Sequence, residues 1–130
     1  MIVVDTNVVA YLYLPTEHTR FAEALLERDP EWTAPLLWRS ELRNILATYV
    51  RRRLLGFEAA RDIQAEAEHL LAGGEYEVDS TRVLELARDS DCSAYDCEFV
   101  ALAMQLGVQL VTVDAKLRRA FPGQTVALGA

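Results

Sequence analysis

Histidine and cysteine are scarce in this chain, with two of each among 130 residues. Cys92 and Cys97 stand five apart, which matches no common zinc or redox motif. On a helix, residues five apart do not face one another well. They read as small semi-buried thiols in a reducing compartment. His18 and His69 fall in polar or amphipathic segments and read as surface residues, so no zinc site is expected. Long apolar runs are missing too: no segment approaches the roughly 20 residues a membrane span needs. The apolar run at the N-terminus lacks a basic lead and is broken by Asp5, so no signal peptide is expected, and the cytoplasm is the expected setting. Positive charge is in deficit, with 13 Lys and Arg against 20 Asp and Glu and a formal net charge of −7. That field opposes non-specific binding of nucleic acid. A polyanionic substrate would need local basic residues or metal ions to approach. Repeats and low-complexity segments are absent.

What the chain does have is apolar content, 52%, enough for a core and consistent with one domain over residues 1–130. Short apolar runs alternate with helical patterns. "MIVV", "EWTAP", "EYEV" and "VQLVTVD" read as strands, and "TVAL" as a last edge strand. "NVVAYLYL" reads as a helix broken near Pro15, and "TEHTRFAEALLER" as a helix with Thr16 as cap. A long helix is expected from Leu36 to Leu55, stopped by Gly56. Another covers residues 58 to 72 and ends at Gly73-Gly74. "STRVLELARDS" is expected to be capped by Ser80 or Thr81, and "SAYDCEFVALAMQLG" by Ser93, with Gly107 closing it. "AKLRRAF" is a short final helix. Strands apolar on both faces alternating with helices specify an α/β domain with a mainly parallel central sheet of four to five short strands covered on both sides. Ligands of such sheets bind at the carboxyl ends of the strands. Asp5 and Asp114 both fall there.

Four acids sit where acids are costly or conspicuous. Glu41 lies in "PLLWRSELRNILATYV", within the apolar stripe marked by Leu37, Trp38, Ile45 and Tyr49. Its neighbours at i±3 and i±4 include no base, so no intrahelical ion pair compensates it. A carboxylate facing a core costs several kcal/mol unless something does. Asp96 fits a capping box with Ser93, and Asp114 an ordinary N-cap; taken singly, both read as caps. Asp5 ends its strand as a cap or a ligand. As a set they are more informative. Four carboxylates brought together could not all stay ionised without cations, and hard divalent ions prefer such oxygen ligands. A Mg²⁺ or Mn²⁺ site is the expectation.

"IVVDTN", "APLLWRSELRNIL", "SAYDCEFVALA" and "LVTVDAKL" resemble, in order and across nearly the whole chain, the four signature segments of PIN-domain ribonucleases. The similarity is greatest to the VapC toxins of bacterial toxin–antitoxin pairs. The resemblance implies a three-layer α/β/α fold. It implies Asp5, Glu41, Asp96 and Asp114 as metal-binding and catalytic acids. Thr6 and Asn7 would hold the Asp5 carboxylate or a metal-bound water, and Thr112 would support the site from the fourth strand. It implies Mg²⁺-dependent hydrolysis of RNA by a metal-activated water, leaving 5′-phosphate and 3′-hydroxyl ends. A cognate antitoxin placing a basic side chain in the acid pocket, and a homodimer, are the implied partners. Arg39, Arg43, Arg51, Arg52, Arg53 and Arg20 are the expected guides for RNA, although the 51–53 triplet also suits a solvated helix end.

Competing readings fit less well. A haloacid-dehalogenase-type phosphatase needs a second Asp two residues after the first, where this chain has Asn7. A receiver domain needs its Asp on a middle strand, and "EYEVDS" offers only Asp79. Neither explains Glu41. A housekeeping RNA-processing enzyme of the same fold, and a non-catalytic RNA- or partner-binding version, are the remaining alternatives.

Overall fold

The computed structural model describes residues 1–130. Five strands, β1 (Ile2–Val4), β2 (Trp32–Pro35), β3 (Glu75–Tyr76), β4 (Leu110–Thr112) and β5 (Thr125–Ala127), form one sheet in the order β3-β2-β1-β4-β5. Every pairing is parallel. Seven helices connect and cover it: α1 (Thr6–Tyr13), α2 (Thr19–Arg28), α3 (Leu37–Arg51), α4 (Phe57–Leu70), α5 (Ser80–Arg88), α6 (Ala94–Leu106) and α7 (Ala115–Ala120). The result is the three-layer α/β/α arrangement that the apolar strands require.

Every residue of β1, β2 and β4 is buried. Such strands need a helical layer on each face, because a solvated face would expose half of their side chains to water. α6 supplies the centre of one layer. It is buried from Phe99 to Ala103, contacts β1, β2 and β4, and carries α5 on its outer side. α1 and α3 pack on each other in the other layer and bring α2 and α4 with them. Trp38, Leu42 and Leu102 are fully enclosed. Each such side chain stabilises the fold by about 1.5–3 kcal/mol through loss of apolar surface to water.

The topology sets the position of the site. The chain runs outward from β1 through β2 to β3, then crosses back to place β4 on the other side of β1. The order therefore reverses between β1 and β4, and their carboxyl ends flank the crevice where α/β sheets bind ligands. The register pairs Val3 with Leu110 and Val4 with Val111. Asp5 and Asp114, one and two residues beyond their strands, emerge side by side on that edge.

Helix ends depart from the sequence expectation in three places. α3 stops at Arg51 rather than Leu55. Arg53 adopts a left-handed φ of 56°, its N–H meets the Val50 carbonyl, and Leu54 N–H meets the Tyr49 carbonyl. This is a Schellman closure made without glycine, so Gly56 comes too late to mark it. α2 has His18 at its N-cap with no side-chain bond. Thr16 instead accepts from His18 N–H at 3.0 Å in the preceding turn. α5 is capped by Asp79, which accepts from Arg82 N–H at 3.2 Å, and not by Ser80 or Thr81; a carboxylate outcompetes the hydroxyls that follow it. Ser93 and Gly107 do close α6 as expected, Gly107 with φ 66°.

A charged clamp fastens the β3 edge. Arg39 on α3 donates to both carboxylate oxygens of Glu75, from Nε at 2.6 Å and from Nη2 at 2.7 Å. Its Nη1 reaches Glu68 on α4 at 2.9 Å. The Trp38 indole N–H adds a bond of 2.9 Å to Glu75.

Candidate active site

Asp5, Glu41, Asp96 and Asp114, each half-buried, line one cavity of about 450 Å³ at the carboxyl edge of the sheet. They arrive from four elements. Asp5 is the N-cap of α1 and accepts from Asn7 N–H at 3.3 Å. Asp114 is the N-cap of α7 and accepts from Lys116 N–H and Leu117 N–H at 2.9 and 3.1 Å. Asp96 lies in the first turn of α6, where its N–H donates to Ser93 Oγ at 3.1 Å. Only this half of the capping box forms, which leaves the Asp96 carboxylate directed to the cavity. Glu41 projects from the middle of α3. Three of the four acids thus sit at helix N-termini, where the helix dipole favours negative charge.

Two threonines lock the acids. The Thr112 hydroxyl donates to Asp5 Oδ2 at 2.6 Å and accepts from Asp114 N–H at 3.0 Å, so one buried side chain on β4 positions two of the acids. Thr6, also buried, donates to Glu41 Oε1 at 2.7 Å. Of the two roles expected for Thr6, holding the Asp5 carboxylate or a metal-bound water, the structure does not show the first: as the first residue of α1 it faces α3. Asn7 contributes to Asp5 through its backbone.

The electrostatics are one-sided. None of the four acids is in an ion pair, and no Lys or Arg lines the cavity. Burial raises the Asp5 carboxyl above the ordinary carboxylate range. Thr112 and the Asn7 N–H oppose this, and the charges of Asp96 and Asp114 add to it. Glu41 is raised by burial first, against its bond from Thr6, and by Asp5, Asp96 and Glu98. Asp96 is raised by burial and by Asp114, with Ser93 and Lys116 opposing. Mutual repulsion without a counter-charge is the condition under which a cation is attracted. The donors are all oxygen, a set suited to hard divalent ions rather than zinc. No three of the acidic side chains converge closely enough to chelate an ion together. Water would therefore complete any ion's shell, as Mg²⁺ prefers.

The arginines named from the sequence are not in this cavity. Arg39 is engaged by Glu75 and Glu68 in the clamp, with its guanidinium committed to structure. Arg43, Arg51, Arg52 and Arg53 are exposed along and beyond the C-terminal half of α3. Arg20 lies over the Phe21 ring at 4.7 Å. Asp79, the receiver-like alternative, caps α5 after the edge strand β3 and stands on no middle strand. Cys92 and Cys97 are buried and unpaired. His69 is exposed, and His18 is half-exposed, its ring 4.7 Å from that of Tyr11.

Sequence reasoning missed part of the lining. Ser40, Asn44, Leu37, Ile45 and Tyr95 also face the cavity. Helical spacing around Glu41 could have found Leu37, Asn44 and Ile45, at i−4, i+3 and i+4 on its face, but not Ser40 at i−1. Nothing in the sequence marked Tyr95 except its place beside Asp96. A larger cavity, about 650 Å³, opens between Arg82, Met104 and Gln124, but Asp79 is its only acid and no such cluster forms there.

No helix is long and apolar enough to cross a membrane. Comparison with known proteins agrees with the geometry. Ribonuclease VapC3 of Pyrobaculum aerophilum is 31% identical over 124 residues, covering 93% of this chain and 95% of that protein. The crystal structure of FitAcB from Neisseria gonorrhoeae superposes with a TM-score of 0.76 at 19% identity, over 96% of each chain. A toxin-antitoxin complex from Klebsiella pneumoniae gives 0.68 at 16% identity, over 97% of this chain and 96% of that one. At these identities the two structures speak to the fold. Residues 2–121 match the PIN domain, and the chain belongs to the PIN-domain family.

Proposed function

We propose that this protein is a divalent-metal-dependent endoribonuclease, the toxin of a toxin–antitoxin pair acting in the cytoplasm. One observation carries the proposal: four carboxylates without a basic partner, three of them (Asp5, Glu41 and Asp114) held by threonine hydroxyls or backbone amides, line one cavity at the switch point of a parallel sheet. The relative named a ribonuclease supplies the substrate class, and the neighbour described as a toxin-antitoxin complex supplies the partner.

Asp5, Glu41, Asp96 and Asp114 would hold Mg²⁺, no more than two of them directly and the others through its water shell, with Mn²⁺ as a substitute. The ion, when bound, lowers the pKa of water and offsets charge on a phosphodiester. The chain's own part is positional. Thr112 keeps Asp5 and the start of α7 in register, and Thr6 keeps Glu41 turned to the cavity. No histidine, cysteine or lysine lines the cavity, so its hydroxyls on Thr6, Ser40 and Tyr95 have no histidine or lysine base beside them, which favours attack by water over a covalent route. Arg43 and Arg51 to Arg53, exposed on and just beyond α3 and in no ion pair, would guide RNA past the net negative charge. An antitoxin would silence the enzyme by seating a basic side chain among the acids. A homodimer is the assembly we expect.

The test is pulsed expression of the wild type and Asp96→Asn in a bacterial host, followed by genome-wide mapping of 5′-phosphate RNA ends. Ser93 rather than Asp96 supplies the helix cap, so the variant should fold. New ends with the wild type alone are expected. New ends at equal frequency with the variant would remove the acids from the chemistry.

A further inference from the structure

We propose that the acid cavity also contains a stacking site for one unpaired base of single-stranded RNA, with the Tyr95 ring as its platform and the Asn44 amide at its rim. The inference rests on the nuclease reading and deepens it by naming a residue that would position the substrate.

The argument starts from a mismatch in the lining. Carboxylates can handle a cation and, through it, a phosphate. Leu37, Ile45 and Tyr95 can do neither, yet they line the same cavity. Tyr95 is 64% exposed, whereas the other four tyrosines, Tyr11, Tyr13, Tyr49 and Tyr76, pack partly against the core. A lone exposed aromatic is ordinary on a protein surface. One on the wall of a polar cavity, beside an acid of the site, offers a π face where the substrate must pass.

Its place on α6 puts it close to the acids. Tyr95 lies in the first turn of α6, behind the Ser93 cap. Its Cα is about 3.8 Å from that of Asp96, as adjacent residues must be. A base stacked on it therefore belongs to a nucleotide flanking the phosphate that Asp96 serves. Across the cavity, Leu37 and Ile45 share a face of α3 with Glu41, and exposed Asn44 adds an amide able to pair with a base edge. Stacking on aromatic rings is the common way proteins hold single-stranded nucleic acid, and it needs a base freed from its partner. A duplex hides the faces that Tyr95 would contact.

The experiment uses a random-sequence single-stranded RNA pool carrying 2-aminopurine, whose fluorescence falls on stacking. Binding is read with Ca²⁺ in place of Mg²⁺, and cleavage kinetics with Mg²⁺. Wild type and Tyr95→Phe should quench the probe alike. Tyr95→Ala and Tyr95→Leu, the latter keeping apolar bulk without a π face, should bind roughly tenfold more weakly and lose the quench. Their KM should rise by a similar factor with kcat little changed, and duplex binding should not respond. Wild-type cleavage with unchanged quench and KM in both variants would overturn the stacking site and leave the nuclease standing. Wild type that neither binds nor cleaves RNA would remove both. Unchanged RNA binding with altered sedimentation in Tyr95→Ala would assign the ring to a protein interface and end the proposal.

Discussion

Thr112 and Asp5 stand 107 positions apart in sequence, and the hydroxyl of one donates to the carboxylate of the other at 2.6 Å. The same hydroxyl accepts from Asp114 N–H, so β1, β4 and the start of α7 meet at one oxygen atom. Thr112→Val preserves shape and removes that atom, leaving a carboxylate oxygen and an amide unpartnered. We expect a loss of about 1–3 kcal/mol, read by thermal denaturation. The Asp5 carboxyl should also titrate at higher pH, since its strongest opposing bond is gone. An unchanged melting temperature would show that water replaces the hydroxyl without penalty.

Glu41→Gln keeps an oxygen for Thr6 and removes one negative charge from the cavity. A carboxyl whose folded-state pKa lies above its unfolded value weakens the fold as pH rises between the two. The melting-temperature difference between Glu41→Gln and wild type, both in chelator, should thus be near zero at about pH 4 and should grow positive toward neutrality, by roughly 2–4 °C. RNA cleavage by the variant should fall by at least tenfold. A variant less stable than wild type at neutral pH would mean that the charge is already compensated.

Divalent ions should reverse that order. An ion that binds only the folded chain stabilises it by about 2.7 kcal/mol at a hundredfold excess over its Kd. Mg²⁺ should raise the melting temperature of the wild type and much less that of Asp5→Asn, and chelator should abolish cleavage. Equal shifts in the two proteins would place the ion elsewhere.

Arg39→Ala separates structure from RNA guidance. Its guanidinium is held by Glu75 and Glu68, so the variant should melt several degrees lower while the salt dependence of cleavage stays unchanged. Charge reversal at Arg51 to Arg53 should do the opposite. Glu75 adds a pH signature. The Arg39 bond holds its carboxyl below the ordinary value, so this contribution is present above the unfolded pKa and fades as pH falls through the folded one. Acid sensitivity should be blunted in Arg39→Ala.

The sheet and most helices were legible because short apolar runs bounded by acids and glycines admit few other folds. The four acids were legible for the same reason: Glu41 violates an apolar stripe, and the three Asp residues end strands or open helices. Side-chain partners were not. The resemblance gave Thr6 the Asp5 carboxylate or a metal-bound water to hold, but the first residue of α1 turns toward α3 and bonds Glu41. Arg39 looked like a free cation because Glu68 and Glu75 lie on other elements. The end of α3 was misread because Arg53 takes a conformation that composition assigns to glycine.

The strand order has a consequence for timing. β1, at the centre of the sheet, has β2 as one neighbour and β4 as the other, and β4 begins only at Leu110. During synthesis the apolar β1 therefore keeps one edge open until β4 has left the ribosome. Non-local parallel pairing of this kind is slow and leaves partly built sheets prone to association. The same order delays the site: Asp5 has no Thr112 to orient it, and no Asp114 beside it, until the chain has been extended by more than 100 further residues. A ribosome stalled before Thr112 would carry a chain in which the acid cluster has not assembled.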